Sequence, residues 1–375
     1  MDNKLQELVE KLCPNGVEYK TLDKVCSIST GSQLNKSKLL DDAEYPVING
    51  GINPSGYWHE YNTEKDTITI SQGGASAGYV NYMEKPFWAG AHCYVVKLED
   101  DNVSYQYLYQ FIKSIEKKLQ KRQQGAGIPS VSRKDIYENR IPVPPIDIQN
   151  EIVERLNCFT EYLKLLNDEL TSREKQLEYV MKNMLKKDKF TDFDTLGNIC
   201  NIEKGKTPIQ KNKPGIYPLV ATTEHLQTSD SYQFDCDAVC LPLISSRGHG
   251  VASISRIYYQ SGKFALGNIL CALIPKNNNI KAEFLRHYLF FFKDQLLVPL
   301  MRGGANVALT VDSLKGVVVP IPTIAEQENI IDKINSISSL IDKNNGLPAE
   351  IERRQKQYEY YRDKLLSFKE VEVYE

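Results

Sequence analysis

Basic and glycine-rich residues that could contact phosphate occur together in two stretches of the chain. The stretch from Lys113 to Lys134 holds seven lysines and arginines against one acid, Glu116, which gives it a local charge of +6. It includes the polar sequence QQGAG, and a comparable sequence, RGGAN, begins at Arg302. Lysine and arginine beside glycines, whose backbone N–H groups are accessible, are typical of phosphate contacts. The two stretches therefore predict contact with a polyanion.

Two polar loops offer side chains that could distinguish one base from another. Gln72 lies in SQGGASAGY and could pair bidentately with adenine, whereas Arg247 lies in SSRGHG and could pair with guanine. Taken singly, each such residue is more often part of a solvated surface loop. The full set of candidate DNA-contacting residues is Gln33, Lys36, Gln72, Ser76, Lys121, Arg122, Gln124, Lys206, Thr207, Arg247, His249, Arg302 and Asn306.

Catalytic motifs are missing from the sequence. EKGKT, which begins at Glu203, ends like a phosphate-binding loop, but Cys200 stands where that motif requires glycine. The dinucleotide-binding, zinc-protease and nucleophile-elbow motifs do not occur. The methyltransferase signature is also absent, since the only Pro-Pro pair, Pro144-Pro145, is followed by Ile146. These observations predict a binding protein, and an enzyme with an unrecognised site ranks lowest among the alternatives.

The amino-acid composition further narrows the class of protein. The 375 residues are 41% hydrophobic and 25% charged, which are ordinary globular values, and the net charge of −2 argues against an indiscriminate polyanion binder without excluding local basic patches. No run approaches the length of a membrane span, and MDNKLQELVEK is not a secretory signal. Eight cysteines without a C-x-x-C pair fit reduced thiols, and Cys236 and Cys240 lack a second ligand pair at zinc spacing. We expect a cytoplasmic protein without a metal.

The chain contains one internal duplication. RIPVPPIDIQNEIVERL (residues 140–156) recurs as VVPIPTIAEQENIIDKI (318–334), with a spacing of 178 between their first prolines. Four further pairs recur in the same order: LDKVCSISTG (22–31) with LGNICNIEKG (196–205), ISQGGAS (70–76) with ISSRGHG (244–250), HCYVVKL (92–98) with LCALIPK (270–276), and QGAGIPSVSRKDI (124–136) with RGGANVALTVDSL (302–314). This alignment places Ile70 over Ile244 and Cys93 over Cys271. A repeat of this length predicts two domain-sized copies.

Each copy combines strand and helix signals. Apolar and β-branched runs at residues 67–71, 94–98, 238–245 and 269–275 predict strands, and residues 105–118 and 282–293 predict short amphipathic helices. Cys93 and Cys271 fall within strands and are most simply core residues. We expect an α+β protein with two similar α/β domains, residues 1–143 and 189–321, joined by two long antiparallel helices, residues 144–188 and 322–375, in a pseudo-two-fold arrangement.

The long helices are predicted from a narrow apolar seam. Apolar residues recur at steps of four and three through residues 148–187, the pattern of a helix that packs along another helix. The second copy shows the seam at residues 330–341 and again at 351–365. NNGLP (344–348) lies between these parts and leaves open whether this helix is continuous.

The predicted helices carry capping signals, and each seam contains one arginine. Thr323 and Glu326 predict a capping box before the second helix, and Asp147 is a candidate cap for the first. Arg173 and Arg354 each stand at a seam position where an apolar residue would be expected. We also expect the N-terminal segment and the end of the last helix to meet.

The chain resembles the specificity (S) subunits of Type I restriction–modification enzymes. The resemblance covers essentially the whole length and rests on P-x-P-[PT]-I-x-x-Q-x-x-I, present at residues 142–152 and 320–330. Each motif follows a domain similar to a target recognition domain, and the opening KLQELVEKLCPNGVEYKTL also resembles the start of these subunits. The resemblance rests mainly on the repeat architecture with both motifs in register.

The resemblance implies a DNA-binding role without catalysis. Residues 1–143 and 189–321 would be target recognition domains that each read one half of a bipartite DNA sequence, and the helices would space the two halves. In this family the helical regions also dock two modification subunits, which bind S-adenosylmethionine and methylate adenine. Restriction subunits can add ATP- and Mg-dependent translocation and cleavage. This chain itself would bind no cofactor. The family's conserved glutamine falls on Gln149 and Gln327, which we assign to partner binding.

Two alternatives stay open at this point. A specificity subunit of a modification system without restriction subunits fits the same residues. A protein-interaction scaffold that holds two partners at a fixed distance is the alternative from another class. The basic glycine-rich loops favour DNA, whereas the net charge of −2 favours the scaffold.

Overall fold

The contacts within the chain divide it into two compact units. A computed structural model describes residues 3–121, 129–223, 227–247, 250–304 and 307–371. Unit 1 consists of Met1–Asn167 with Glu350–Glu375, and unit 2 of Asp168–Ala349. These divisions fall inside the helical segments, unlike the predicted boundaries at residues 143, 188 and 321, because each stretch of helix packs against a domain. The α+β class with two similar halves is confirmed.

Unit 1 contains a four-stranded sheet, a three-stranded sheet and a two-stranded ribbon. Its strands are β1 Glu18–Thr21, β2 Cys26–Thr30, β3 Tyr45–Ile48, β4 Tyr57–Trp58, β5 Thr67–Ser71, β6 Val80–Met83, β7 Trp88–Ala89, β8 Cys93–Leu98 and β9 Arg140–Val143. The larger sheet has the order β2-β8-β5-β6 and the smaller one β4-β3-β7, while β1 pairs with β9. Strand β5 is buried on both faces, which explains its continuous run of β-branched residues.

Four short α-helices lie in the described part of unit 1, besides the long helical segments. They are α1 Asn3–Leu12, α2 Tyr105–Ser114, α3 Glu116–Lys121 and α4 Arg133–Tyr137. The Ser104 hydroxyl caps α2 by accepting a hydrogen bond from the Tyr107 N–H. Tyr107 and Ile112 are fully buried in the same core cluster as Ile68 and Ile70 of β5, so α2 covers one face of the larger sheet.

Helix α5 is one continuous helix from Ile146 to Met184. Its 39 residues correspond to about 58 Å at 1.5 Å per residue. The prediction that Asp147 caps it is wrong, because Asp147 lies within the first helical turn. Ile152 and Leu156 are fully buried in the core of unit 1, and Met181, near the other end, is buried in the core of unit 2. The predicted seam therefore supplies core residues to both units.

Unit 2 repeats the strand plan of unit 1 with one additional strand. Its strands are β10 Phe193–Thr195, β11 Cys200–Lys204, β12 Tyr217–Val220, β13 Gln227–Ser229, β14 Phe234–Asp235, β15 Ala238–Pro242, β16 Tyr258–Gln260, β17 Lys263–Leu266, β18 Leu270–Pro275 and β19 Val318–Pro320. The sheets have the orders β11-β18-β15-β16 and β13-β12-β17-β14, and β10 pairs with β19. The described sheets of the two units therefore correspond strand for strand, apart from β14.

Five α-helices lie wholly within the described part of unit 2, and all but the first have an α-helical counterpart in unit 1. They are α6 Leu196–Ile199, α7 Ala282–Phe291, α8 Lys293–Leu296, α9 Val311–Lys315 and α10 Ile324–Leu340. The predicted capping box of Thr323 and Glu326 at the start of α10 is confirmed. Equivalent short helices α4 and α9 begin with capping boxes as well, although the third residue differs (Asp135 against Ser313).

The second long helical segment is two helices. Helix α10 ends at Leu340, and α11 runs from Leu347 to Leu365. Between them the Asp342 carboxylate accepts hydrogen bonds from the N–H groups of Asn344 and Asn345, both at 3.0 Å. This side-chain turn offers the backbone an alternative to helix. The sequence left open whether the second long helix is continuous, and the structure shows that it is interrupted.

The two seam arginines make matching local contacts. Arg173 donates to Glu169 at 2.8 Å and to Gln176 at 2.7 Å, and Arg354 donates to Glu350 and Gln357, both at 2.8 Å. In each case one acceptor lies four residues before the arginine and the other three residues after it. Both acceptors are therefore on the same helical face as their arginine. Within unit 1, the guanidinium of Arg354 also lies 5.7 Å from the centroid of the Tyr162 ring. Each interruption of the seam is thus an ordered polar contact.

The pairing of strands corrects one predicted equivalence. The Gly31 N–H donates to the Cys93 carbonyl, and the equivalent Gly205 N–H donates to the Leu270 carbonyl. Cys93 therefore corresponds to Leu270, and the predicted match with Cys271 is wrong by one residue. A slip of one residue moves a strand side chain to the other face of the sheet. Cys93 accordingly packs in a small cluster with Phe87, whereas Cys271 lies in the main core of unit 2.

The predicted alignment of the two copies also needs a correction in the loops after β5 and β15. Gly73 forms an isolated bridge with Ser130, and Ile244 forms the equivalent bridge with Ala308. The spacing between these loops is therefore 171, and the predicted spacing of 174, which placed Ile70 over Ile244, is wrong by three residues.

The predicted meeting of the N-terminal segment with the end of the last helix is confirmed within unit 1. Val17 forms a parallel bridge with Glu370: its N–H donates to the Lys369 carbonyl at 2.8 Å, and its carbonyl accepts from the Val371 N–H at 3.0 Å. Arg140 forms an ion pair with Glu370 beside this bridge. Residues 350–371 thus complete a domain whose other elements lie at the start of the chain.

Candidate DNA interface

In unit 1 the sheet connections that carry predicted contact residues converge at one end of the larger sheet. We call residues 31–35, 49–56, 72–79, 90–92 and 129–131 loop face 1. Backbone hydrogen bonds hold it together: the Gln72 N–H donates to the His92 carbonyl, and the Gln72 carbonyl accepts from the Val131 N–H, both at 2.9 Å. The Ser71 hydroxyl donates to the Gly50 carbonyl and joins a further loop. The polar loops of unit 1 therefore form one surface.

Five predicted contact residues of unit 1 lie on or beside loop face 1. Gln33 and Lys36 are exposed in the connection after β2, while Gln72 and Ser76 are half-buried in the connection after β5. Lys121 is exposed at the end of α3. The last turn of α3 contacts loop face 1, because a Cβ on the loop residue at position 78 would lie 2.9 Å from the backbone nitrogen at position 120. The structure thus brings all five to one region.

The basic stretch at residues 113–134 is less available to DNA than its charge indicates. Lys113 forms an ion pair with Glu116 at 2.6 Å, and Lys117 pairs with Glu359 at 2.6 Å. Lys118 donates to a side-chain oxygen of its own unit at 2.8 Å. These contacts hold three of the lysines within unit 1, so Lys121 is the better candidate for a phosphate contact.

Unit 2 presents the equivalent surface. We call residues 205–208, 221–223, 243–247, 250–257, 267–269, 301–304 and 307–309 loop face 2. The Leu243 N–H donates to the Ile269 carbonyl at 2.9 Å, and the Leu243 carbonyl accepts from the Leu309 N–H at 2.7 Å, as Gln72 does in unit 1. The Ser245 N–H donates to the Val307 carbonyl at 2.9 Å. Position 243 has the backbone bonds of position 72 but an apolar side chain.

The predicted contact residues of unit 2 differ in how free their side chains are to contact DNA. Lys206 and Arg247 are exposed on loop face 2, and Thr207 is half-buried beside Lys206. Arg302 is exposed, but its guanidinium donates to the carbonyls of Pro299 and Met301, at 2.6 and 3.0 Å, and so helps to fold its own loop. The remaining predicted contact residues lie outside the described part of the chain: Arg122, Gln124, His249 and Asn306.

Gln149 has a structural role inside unit 1. Its side chain is 0% exposed. The amide group donates to the carbonyls of Asn102 and Pro144, both at 2.7 Å, and the amide oxygen accepts from the Ser104 N–H at 2.8 Å. Both donors and one acceptor site of the side chain are therefore used within the domain.

Gln327 makes the same three contacts in unit 2. It is 0% exposed, donates to the carbonyls of Asn279 and Pro322 at 2.8 Å, and accepts from the Lys281 N–H at 2.7 Å. The assignment of Gln149 and Gln327 to partner binding is therefore wrong, because neither side chain reaches the surface. Each glutamine instead joins the start of a long helix to the N-terminus of a short domain helix.

Two tyrosine pairs that lie outside the two loop faces were not predicted. Tyr45 and Tyr61 have ring centroids 5.0 Å apart, and the equivalent Tyr217 and Tyr232 are also 5.0 Å apart. Tyr61 and Tyr232 are 43% and 45% exposed. Only a correct alignment of the two copies could have identified these pairs, since neither pair lies in a recurring sequence motif. Arg256, which is exposed on loop face 2, was also missed.

The cysteines behave as core residues. Burial raises the pKa of the Cys93 and Cys271 thiols to about 12, so neither is a thiolate at neutral pH. Among the described residues, no group of three His, Cys, Asp or Glu side chains is arranged to hold a metal ion. The same residues include no helix that is long and apolar enough to cross a membrane.

Comparisons with known proteins agree with this organisation. A family model described as the Type I restriction modification DNA specificity domain matches residues 14–173 and again residues 190–353. A putative type I restriction enzyme specificity subunit of Haemophilus influenzae is 28% identical over 96% of this chain and 98% of its own length. The EcoR124I/EcoR124II specificity subunit of Escherichia coli is 30% identical, with 74% of each chain covered.

The fold is also found among solved structures. The crystal structure of a Type I S subunit from M. genitalium matches with a TM-score of 0.67 at 20% sequence identity, covering 94% of this chain and 96% of that chain. With two matched domains, this chain belongs to the Type I restriction–modification DNA specificity family. It is a specificity subunit, the non-catalytic member of such a system.

Proposed function

We propose that this chain reads a bipartite DNA sequence, one half through loop face 1 and the other through loop face 2. The observation that carries this proposal is the contrast between framework and loops. Strand pairing, the two glutamine contacts and the tyrosine pairs are the same in both units. The loop side chains differ at equivalent positions, such as Ser76 and Arg247. Two copies that read different half-sites would differ in this way.

The loop faces supply both kinds of contact that sequence-specific binding needs. Lys121 and Lys206 are exposed cations beside the loops and would neutralise phosphates. Gln72 and Arg247 offer the amide and guanidinium groups that pair with adenine and guanine in the major groove. Phosphate contacts fix the register of the protein on the duplex, and base contacts provide specificity.

Catalysis would belong to partner subunits. We propose that the chain directs two methyltransferase subunits, which bind S-adenosylmethionine and methylate adenine, to the bipartite site in the cytoplasm. Restriction subunits that use ATP and Mg can join in systems that have them. A solved structure concerned with complex assembly of the type I restriction–modification system shares this fold at a TM-score of 0.55 and 16% identity.

The test is a map of methylated adenines in cells that express the chain with its neighbouring methyltransferase. We expect one bipartite motif that disappears when the chain is omitted. Methylation that does not depend on the chain would contradict the proposal. A stable complex with partners but no chain-dependent motif would favour the scaffold alternative.

A further inference from the structure

The hairpin connection on loop face 2 is longer than its counterpart on loop face 1. In unit 1, Thr69 pairs with Asn81, which lies 12 positions further on. In unit 2 the equivalent Cys240 pairs with Tyr258, which lies 18 positions further on. Because Ser76 and Arg247 are at equivalent positions, the six additional residues fall between Arg247 and Tyr258.

Serine side chains hold the described arms of this longer connection together. The Ser245 hydroxyl donates to the Val251 carbonyl at 2.6 Å and accepts from the Ser253 N–H at 3.1 Å. The Ser246 N–H donates to the Ser253 carbonyl at 2.9 Å. The Ser245 hydroxyl also accepts from the Arg247 N–H at 3.2 Å, which fixes the backbone of that arginine. The described parts of the connection, residues 243–247 and 250–257, are therefore held in place by hydrogen bonds, and a loop that is already held loses less conformational entropy on binding.

Arg256 is displayed at the end of this loop. Its neighbours Ile254 and Ile257 are each 2% exposed and belong to the main core of unit 2, so the backbone between them is anchored. Arg256 itself is exposed, and its guanidinium donates to the Thr223 carbonyl at 3.3 Å. Among the described residues this is its one hydrogen bond. A guanidinium has five N–H donors, so others are available to a ligand.

A cleft of about 480 Å³ opens beside Arg256. Its polar lining includes Thr222, Ser245, Ser246 and Tyr258, and Ile244 and Ile254 belong to its apolar lining. The Tyr258 hydroxyl is buried and has no hydrogen-bond partner among the described residues. A base edge placed at this cleft would meet hydroxyl and guanidinium donors.

These donors match guanine better than the other bases. In the major groove guanine presents two acceptors, O6 and N7, and arginine binds both at once. The corresponding loop of unit 1, SQGGASAGY, contains no charged residue. We infer that Arg256 is a specificity-determining residue, which together with Arg247 reads guanine in the half-site bound by unit 2. This inference rests on the proposed function and adds to it the base class that unit 2 recognises.

The test compares methylation motifs for the wild-type chain, Arg256→Gln and Arg256→Lys, each expressed with the neighbouring methyltransferase. Both variants lose the guanidinium that pairs bidentately with guanine, and Arg256→Lys keeps the positive charge. We expect discrimination at one G·C pair in one half of the motif to fall roughly ten- to hundred-fold. The other half should be unchanged.

Lys276→Gln is the matched control in the same unit. Lys276 follows β18 at the end opposite the loop face, where it donates to the Gly197 carbonyl at 2.8 Å. This variant should retain the complete wild-type motif. If Arg256→Gln and Arg256→Lys also give the wild-type motif at every position, the inference is wrong while the proposed function stands. If the wild-type chain gives no bipartite motif, the proposed function itself fails.

Discussion

The backbone N–H of Ser104 donates a hydrogen bond of 2.8 Å to the side-chain oxygen of Gln149, and this bond joins the N-cap of helix α2 to the first turns of helix α5. The same amide group holds the Pro144 carbonyl at the start of α5. Domain and long helix are therefore connected by a buried polar contact at the point where one leads into the other. Unit 2 repeats this contact with Gln327.

Replacing Gln149 with leucine should destabilise the protein without acting on any partner surface. The variant would leave the Ser104 N–H and two backbone carbonyls without their buried hydrogen bonds, at a cost on the order of 3 kcal/mol in the free energy of unfolding. Chemical denaturation measures this change. Gln6→Leu is the control, because Gln6 is exposed and its side chain bonds only to Glu10 among the described residues. A Gln149→Leu chain that keeps its stability but no longer binds methyltransferase would restore the partner-binding assignment.

His287 should make unit 2 sensitive to acid. Burial, together with the nearby Arg286, lowers the pKa of His287 from 6.5 to about 4, although a bond to Asn335 favours the protonated form. The unfolded chain therefore binds a proton below pH 6.5 that the folded chain resists until about pH 4. The neutral histidine contributes stability that is fully present above pH 6.5 and is lost as the pH falls towards 4, by about 3 kcal/mol in total.

The other copy provides the control for this prediction. Gln110 stands at the equivalent place in unit 1, where it donates to Asn157 as His287 contacts Asn335. His287→Gln should preserve the polar contact and remove the titration. We expect the unfolding free energy of wild type to fall relative to that of His287→Gln as the pH is lowered from 7 to 4, because only the wild type carries this histidine. Parallel curves would show that His287 is not responsible.

Gly16→Ala should disrupt the pairing of residues 17 and 370. Gly16 has φ +108, and a Cβ at this position would lie 2.4 Å from the Lys369 carbonyl oxygen. We expect a loss of more than about 2 kcal/mol in stability, since both backbone strain and a backbone clash are introduced. Hydrogen exchange at Val17 and Val371 should accelerate.

Gly316→Ala tests whether this effect is specific. Gly316 has an ordinary φ of −82, and its added Cβ would meet nothing within 4 Å among the described residues. Its stability should remain within about 0.5 kcal/mol of wild type. Equal effects of the two substitutions would contradict the proposed clash.

Lys121→Gln and Lys206→Gln should weaken binding of the assembled complex to all DNA sequences alike. Each lost phosphate contact lowers the magnitude of the slope of log affinity against log salt by about 0.9. Lys97→Gln is the control, because Lys97 is 78% exposed but lies at the other end of β8 and pairs with Glu99. Titrations at several salt concentrations measure the slope. An unchanged slope in the first two variants would remove them from the interface.

The duplication and the α+β class could be predicted because they depend on long patterns in the sequence. The burial of Gln149 was also encoded: it lies three and seven residues before Ile152 and Leu156, on the apolar face of the helix. Gln327 has the same relation to Ile330 and Ile334. The polar character of glutamine led to the wrong assignment, because a buried amide requires backbone partners that only the folded chain reveals.

Strand register and loop content could not be predicted in the same way. Cys93 matched Cys271 by residue type, yet hydrogen bonding to Gly31 and Gly205 places Leu270 at that position. A shift of one residue preserves the apolar character of a strand that is buried on both faces, so the sequence offers no signal against it. Arg256 was missed because exposed arginines are common, and its anchored position depends on the packing of Ile254 and Ile257.

The position of residues 350–371 in the chain has a consequence for biosynthesis. Unit 2 is encoded by one uninterrupted stretch, Asp168–Ala349, whereas unit 1 needs a segment that is translated only after all of unit 2. Domains ordinarily fold in the order in which they are synthesised. Here the domain that begins first would be finished last, and its partly built core would have to remain free of aggregation while the ribosome completes the other half.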